Sequence, residues 1–190
     1  MNKNPIIVIP GVFDSNLYFD PELTNLGWPI KSVAKVMDIA RQGDLKKLEI
    51  EYTVPMYARE PVDDTKAEKP EYGANDVWKD MVEGLITAFP GREVWFYSYD
   101  FRQLSAVSMI RFAEFLNTFD GPVDIVAHSY GNNLLAAYVS RYGGDKIHRA
   151  ACLAPPFEGS PEIFLVPPQS VNFPCMGELA PSPTINRIYP

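Results

Sequence analysis

The stretch Val123-Asp124-Ile125-Val126-Ala127-His128-Ser129-Tyr130-Gly131-Asn132-Asn133-Leu134 constrains this chain more than any other. An apolar run of strand length meets the start of a helical segment at a single residue. Serine stands at that junction, with small residues two before it and two after it, Ala127 and Gly131. A strand and a helix joined by so sharp a turn pass close together, which small flanks permit. The turn projects the hydroxyl out of the sheet. The helix start then presents backbone N–H groups to developing negative charge. These are the requirements of a serine nucleophile. The pattern is Gly-x-Ser-x-Gly with alanine for the first glycine. A plainer reading makes Ser129 a helix N-cap on a nucleotide-binding or other α/β domain. No Gly-rich phosphate loop follows any predicted strand, which counts against that reading.

The surrounding pattern alternates strand and helix. Ile6-Ile7-Val8-Ile9 is a continuous apolar run, as a strand covered on both faces requires. Apolar spacing predicts a helix over 30–40 through Ile30, Val33, Val36 and Met37, and a short strand over 48–54. Residues 58–72 are rich in charge and proline and read as an exposed excursion. A helix is predicted over 76–89, capped by Asp76, with Val77, Met81, Leu85, Ile86 and Phe89 inward. A strand follows over 94–99, then a helix over 108–119 with Ile110, Phe112, Phe115, Leu116 and Phe119 inward. A strand over 123–127, a helix over 130–142 stopped by Gly143-Gly144, and a strand over 147–153 complete the series. The alternation implies right-handed crossovers onto a largely parallel sheet, hence an α/β fold with helices on both faces. Residues 155–190 show no sustained period.

The chain has 190 residues, suited to one domain. Net charge is −7 and the pI about 4.8. That acidity argues against nucleic acid, whose binding rests on Lys and Arg neutralising phosphates. It also argues weakly against electrostatic docking on anionic membranes. The two cysteines, Cys152 and Cys175, have no zinc-ligand or disulfide-framework spacing. Cys152 sits in an apolar run and is expected to be buried; a disulfide between the two stays open. No signal peptide or membrane span is legible at the start, so a cytoplasmic setting is the default expectation.

Four separated segments resemble the lecithin:cholesterol acyltransferase (LCAT) family of α/β-hydrolases, in that family's order. The first is Val8-Ile9-Pro10-Gly11-Val12-Phe13-Asp14-Ser15-Asn16-Leu17, similar to its opening strand and oxyanion loop. The second is Tyr99-Asp100-Phe101-Arg102, with Phe where the family has Trp. The third is the serine turn. The fourth is Leu153-Ala154-Pro155-Pro156-Phe157-Glu158-Gly159-Ser160-Pro161. The resemblance runs from about residue 5 to the end and is least specific over 40–75. It implies one α/β-hydrolase domain over 1–190, incomplete at its C-terminal edge, with a lid or excursion at 41–75. It implies a lipase or acyltransferase that acts through an acyl-enzyme on Ser129, without metal or organic cofactor. A lipid or other acyl ester would be the substrate, with lipid-surface contact through the lid.

The resemblance further implies an oxyanion hole built from the backbone N–H groups of Val12 and Tyr130. The residues agree, because Pro10-Gly11 turns at a strand end and glycine lets the backbone approach a ligand. Asp100 and Arg102 read as structural, joined by an ion pair or by backbone hydrogen bonds. Phe13, Trp28 and Phe157 are candidates for an acyl pocket and read equally well as core aromatics.

A serine nucleophile needs a base and an acid that orients it. The chain has two histidines. His128 precedes the nucleophile, so its side chain is expected to point away from the cleft. His148 begins the last strand, on the order of 20 Å from Ser129 at roughly 3.3 Å per residue. Neither fits the base, and Glu158 has no histidine to orient. In the family these residues come later, so the expectation is a truncated or split sequence. Its open sheet edge should favour self-association or a partner chain. Two further readings are a non-catalytic lipid- or protein-binding derivative, and an esterase or thioesterase for small soluble esters.

Overall fold

The computed structural model describes residues 4–29, 55–103 and 106–159. In chain order these form β1 (Ile6–Ile9), β2 (Leu17–Tyr18), β3 (Leu26–Trp28), a 3-10 turn (Ala74–Asp76), α1 (Lys79–Ala88), β4 (Val94–Phe96), α2 (Ala106–Asn117), β5 (Val123–His128), α3 (Gly131–Tyr142) and β6 (Ile147–Leu153). The main sheet runs β4-β1-β5-β6 with every neighbouring pair parallel. β2 and β3 form a separate antiparallel pair.

The order of the strands follows from the crossovers. From β1 the chain passes through α1 to β4 on one side, then through α2 over β1 to β5 on the other side. Right-handed crossovers in opposite directions must leave their helices on opposite faces, and the packing agrees. Ile6 and Val8 of β1 pack with Trp78 and Val82 on the α1 face. Ile7 and Ile9 pack with Phe112, Leu116, Leu134 and Tyr138 on the α2 and α3 face. Both faces of β1 are covered, which is why its sequence is apolar without alternation. The direction of travel reverses between β1 and β5. The crevice beyond their carboxyl ends is the topological switch point, where sheets of this kind place ligands.

At the amino end the sheet is tied by charge. The buried Asp124 carboxylate accepts hydrogen bonds from Arg92 Nη2 at 2.6 Å and Arg149 Nε at 3.0 Å, and lies 2.8 Å from His148 Nδ1. Arg92 Nε also donates to the Asn4 carbonyl at 2.7 Å. One carboxylate thereby joins the start of the chain, the approach to β4, and strands β5 and β6. Burial alone would raise the Asp124 pKa, but these three donors outweigh it and hold it below the ordinary carboxylate value.

Several expectations need correction. The helix over 76–89 begins at Lys79, and Asp76 does not cap it. Asn75 and Asp76 instead take left-handed backbone conformations in the preceding turn. The inward face is also rotated: Trp78 and Val82 are buried, with Leu85 and Ile86 packed beside them, while Val77, Met81 and Phe89 are exposed. The winning set keeps helical spacing and places the largest ring, Trp78, against Phe96. In α2 Ile110 is exposed, whereas Phe112 and Leu116 are buried and Phe115 and Phe119 pack against the core. Cys152 is exposed, because β6 is the outermost strand and all its residues after Ile147 are exposed. Among the described residues no strand pairs with its outer edge.

The excursion over 58–72 is not simply exposed. Its Asp64 and Glu71 are buried. Asp63 bridges to Trp95, and the Asp64 N–H donates to the Val94 carbonyl at 2.8 Å, so the segment lies along the β4 edge. Arg59 stands 3.6 Å from Asp64 and 3.7 Å from Glu71. These ion pairs let carboxylates enter the interior of a segment that composition reads as solvated. The helix expected over 30–40, the strand over 48–54, the first part of the 41–75 lid, residues 160–190 and Cys175 lie outside the described residues. Among the described residues no helix is long and apolar enough to cross a membrane.

Candidate active site at the switch point

Ser129 stands between the end of β5 and the start of α3, with φ of 47°. A non-glycine residue in the left-handed region is strained by about 1–3 kcal/mol, and such strain persists only where surrounding contacts over-determine it. Those contacts are present. The Ser129 N–H donates to the Leu153 carbonyl at 2.9 Å. The Asn132 side-chain amide donates to the Ser129 carbonyl at 3.0 Å and to the Leu153 carbonyl at 3.1 Å. Asn132 is fully buried, so the turn is clasped to the end of β6 from inside.

Gly131 accounts for the spacing of small residues. A β-carbon there would stand 2.5 Å from the Pro10 carbonyl oxygen and 2.7 Å from that of Ile9. The helix start therefore lies against the end of β1 at a distance that only glycine allows. Ala127 is fully buried in the core that β5 shares with α2 and α3.

The loop after β1 comes to the same place. A β-carbon on Gly11 would be 3.1 Å from each of three atoms: Ser129 Cβ, Asp14 Oδ2 and His128 Nδ1. The Gly11 N–H donates to Asp14 Oδ2 at 3.0 Å, which closes the turn. Tyr99 Oη donates to the Pro10 carbonyl at 3.0 Å, and the Tyr99 N–H donates to the buried Ser15 hydroxyl at 3.1 Å. Trp28 Nε1 donates to the carbonyl of Phe13, whose φ is 68°. Val12 follows Gly11 in this loop, and its N–H makes no hydrogen bond to another described residue. Tyr130 has helical dihedrals at the head of α3, and its ring is buried in the core. Tyr130 follows Ser129 directly, and Val12 follows Gly11, where a β-carbon would stand 3.1 Å from Ser129 Cβ.

Other candidates separate into those brought together and those not. Arg102 grips Asp100 through Nε at 2.8 Å and Nη2 at 2.6 Å, and its backbone N–H donates to the same carboxylate at 3.1 Å. The pair is buried and holds the loop after β4. Phe13, Trp28 and Phe101 form one aromatic cluster, with ring centroids 5.2–6.2 Å apart. Phe157 is 59% exposed and does not join this cluster. His148 is engaged with Asp124 at the opposite end of the sheet.

His128 turns to the α1 face. Its ring meets the edge of Trp78 at 5.4 Å, and Nδ1 lies 3.6 Å from Asp14 Oδ2. It borders an open cavity of about 650 Å³ whose lining includes Asp14, Val77, Trp78, Met81 and Leu85. Asp14, Ser15, Tyr99 and Asn132 were not singled out from sequence. Among the described residues no three His, Cys, Asp or Glu side chains group so as to hold a metal ion. Compared with known proteins, the chain matches no family model and no curated protein sequence.

Proposed function

We propose that this chain has the α/β-hydrolase architecture and acts on a lipid or other acyl ester through Ser129, as the LCAT-like segments imply. The observation that carries the reading is the left-handed Ser129 at the switch point, wedged between a glycine-lined strand end and a helix start. An ordinary helix cap has no need of that strain. In the proposed reaction, Ser129 Oγ attacks the ester carbonyl carbon. The resulting oxyanion is received by the N–H groups of Val12 and Tyr130, each such donor being worth roughly 3 kcal/mol. Collapse breaks the ester C–O bond, and the proton lost from Ser129 Oγ goes to the leaving oxygen, which departs as the alcohol. Water or an acceptor alcohol then takes the acyl group from the serine.

A second reading has a specific observation in its favour. His148 is held by Asp124, and His128 Nδ1 faces Asp14, so neither histidine stands as a base paired to Ser129. A hydrolase-fold protein that binds an ester or a partner without turnover accounts for that. Covalent labelling with a fluorophosphonate, read by intact mass, separates the two. Stoichiometric labelling of the wild-type chain that disappears in Ser129→Ala supports an activated nucleophile. A folded wild-type chain that takes up no label would leave the non-catalytic reading.

A further inference from the structure

We infer that Asp14 is the positioning residue of the oxyanion loop: its carboxylate, by accepting the Gly11 N–H, sets where the Val12 N–H stands relative to Ser129. The inference rests on the reading of Ser129 as a nucleophile and goes beyond it, because it assigns the accuracy of the site to a side chain outside the nucleophile and its donors.

Within the loop 10–14, Asp14 is the one side chain that reaches back into its own turn. The Gly11 N–H is 3.0 Å from Oδ2, and the return bond from the Asp14 N–H to the Gly11 carbonyl is long at 3.4 Å. The turn is therefore closed mainly by the carboxylate. A hydrogen bond to a charged acceptor is roughly twice as strong as a neutral one. Asp14 is itself anchored, because its carbonyl accepts the Ala74 N–H at 2.6 Å. Gly73 makes that approach possible, since a β-carbon there would collide with the same oxygen. The anchor continues through Glu71, which accepts the Gly73 N–H at 3.0 Å and the Asn16 side chain at 2.9 Å. The loop is thus held from the 71–76 turn as well as from β1.

The carboxylate also decides which amide is free. By occupying the Gly11 N–H it leaves the Val12 N–H as the next amide of the loop with no hydrogen bond to a described residue. Without the acceptor, the loop offers two amides in succession, those of Gly11 and Val12, and Gly11 has the freedom of a glycine, so the donor position is no longer single. A catalytic group displaced by about 1 Å costs on the order of 100-fold in rate.

The test is fluorophosphonate labelling of the full chain, resolved into the maximal inactivation rate and the half-saturating probe concentration. Asp14→Ala is expected to lower the maximal rate by about 10-fold to 100-fold with little change in half-saturation. Asp14→Asn, whose side-chain oxygen still accepts the Gly11 N–H, is expected to recover most of it. Melting temperatures measured alongside show that each variant is folded. A wild-type maximal rate in folded Asp14→Ala would overturn the inference, as would an Asn variant that falls as far as the Ala variant. If Asp14→Ala does not fold, Asp14→Glu replaces it. Glu keeps the charge but shifts the acceptor by a methylene, and an undiminished rate there is equally contrary. A wild-type chain that takes no label removes the nucleophile itself, and that failure is visible before any variant is compared.

Discussion

A β-carbon on Gly131 would stand 2.5 Å from the Pro10 carbonyl oxygen, so the head of α3 and the end of β1 meet at glycine distance. Gly→Ala in a helix ordinarily gains up to about 1 kcal/mol. Here the added methyl meets two backbone carbonyls that cannot yield. Overpacking of this kind costs about 1–3 kcal/mol. Gly131→Ala is expected to lower stability in urea denaturation. Because it pushes α3 away from the loop after β1, it should also slow labelling of Ser129.

The strain at Ser129 predicts an inversion between two inactive variants. Alanine keeps the left-handed φ at a cost, whereas glycine adopts it freely. A difference of about 1 kcal/mol moves the melting temperature of a chain this size by about 2–4 °C. Ser129→Gly should therefore melt above Ser129→Ala, by about that margin, in paired calorimetric scans. Equal melting temperatures would mean that the turn carries no strain at this residue.

Among the described residues, Asp124 is the counter-charge for a buried Arg92 and for Arg149. Removing one partner of a buried pair leaves an uncompensated charge, at about 3–5 kcal/mol. Asp124→Asn is expected to lose about that much at neutral pH in chemical denaturation. The sign with pH follows from the depressed Asp124 pKa. The native state holds fewer protons at this group than the unfolded state. The contribution is therefore present above the unfolded value of 3.8 and is lost as pH falls through the folded value. In the Asn variant that acid-side loss should be absent.

Asp64 behaves in the opposite sense. Burial pushes its carboxyl up to about 6, although the Glu71 N–H and Arg59 favour the charged form. Between the unfolded value of 3.8 and about 6 the native state binds the extra proton, so this group lowers stability as pH rises through that window. Asp64→Asn keeps an acceptor for the Glu71 N–H and cannot ionise. Melting temperatures recorded from pH 4 to pH 7 should fall less, or rise more, in the variant than in the wild type. Parallel curves would show that Asp64 does not carry this titration.

The strands and helices of the core were legible because each carries its own periodicity. β1 reads as a doubly covered strand from four apolar residues in a row, and β5 with α3 reads as a junction from Ala127, Ser129 and Gly131. Helix faces were less legible. Val77 and Met81 have the right spacing for an inward stripe, yet Trp78 and Val82 took that position. Two stripes offset by one residue are both helical, and only the shape of the opposing surface at Phe96 selects between them. Likewise Asp64 and Glu71 read as solvated charges until Arg59 is seen beside them.

The α/β alternation, the serine at the turn between a strand and a helix, and the small residues that let them approach are all readable from the order of residues. These are local properties, written in contiguous residues. The strand order, the meeting of the loop after β1 with Ser129, the clasp of Asn132 on β6 and the turn of His128 toward Asp14 were decided only by the tertiary structure. Each depends on residues distant in the chain. Asn132 and Leu153, or Gly11 and Ser129, become neighbours only when parallel strands bring their carboxyl ends to one crevice.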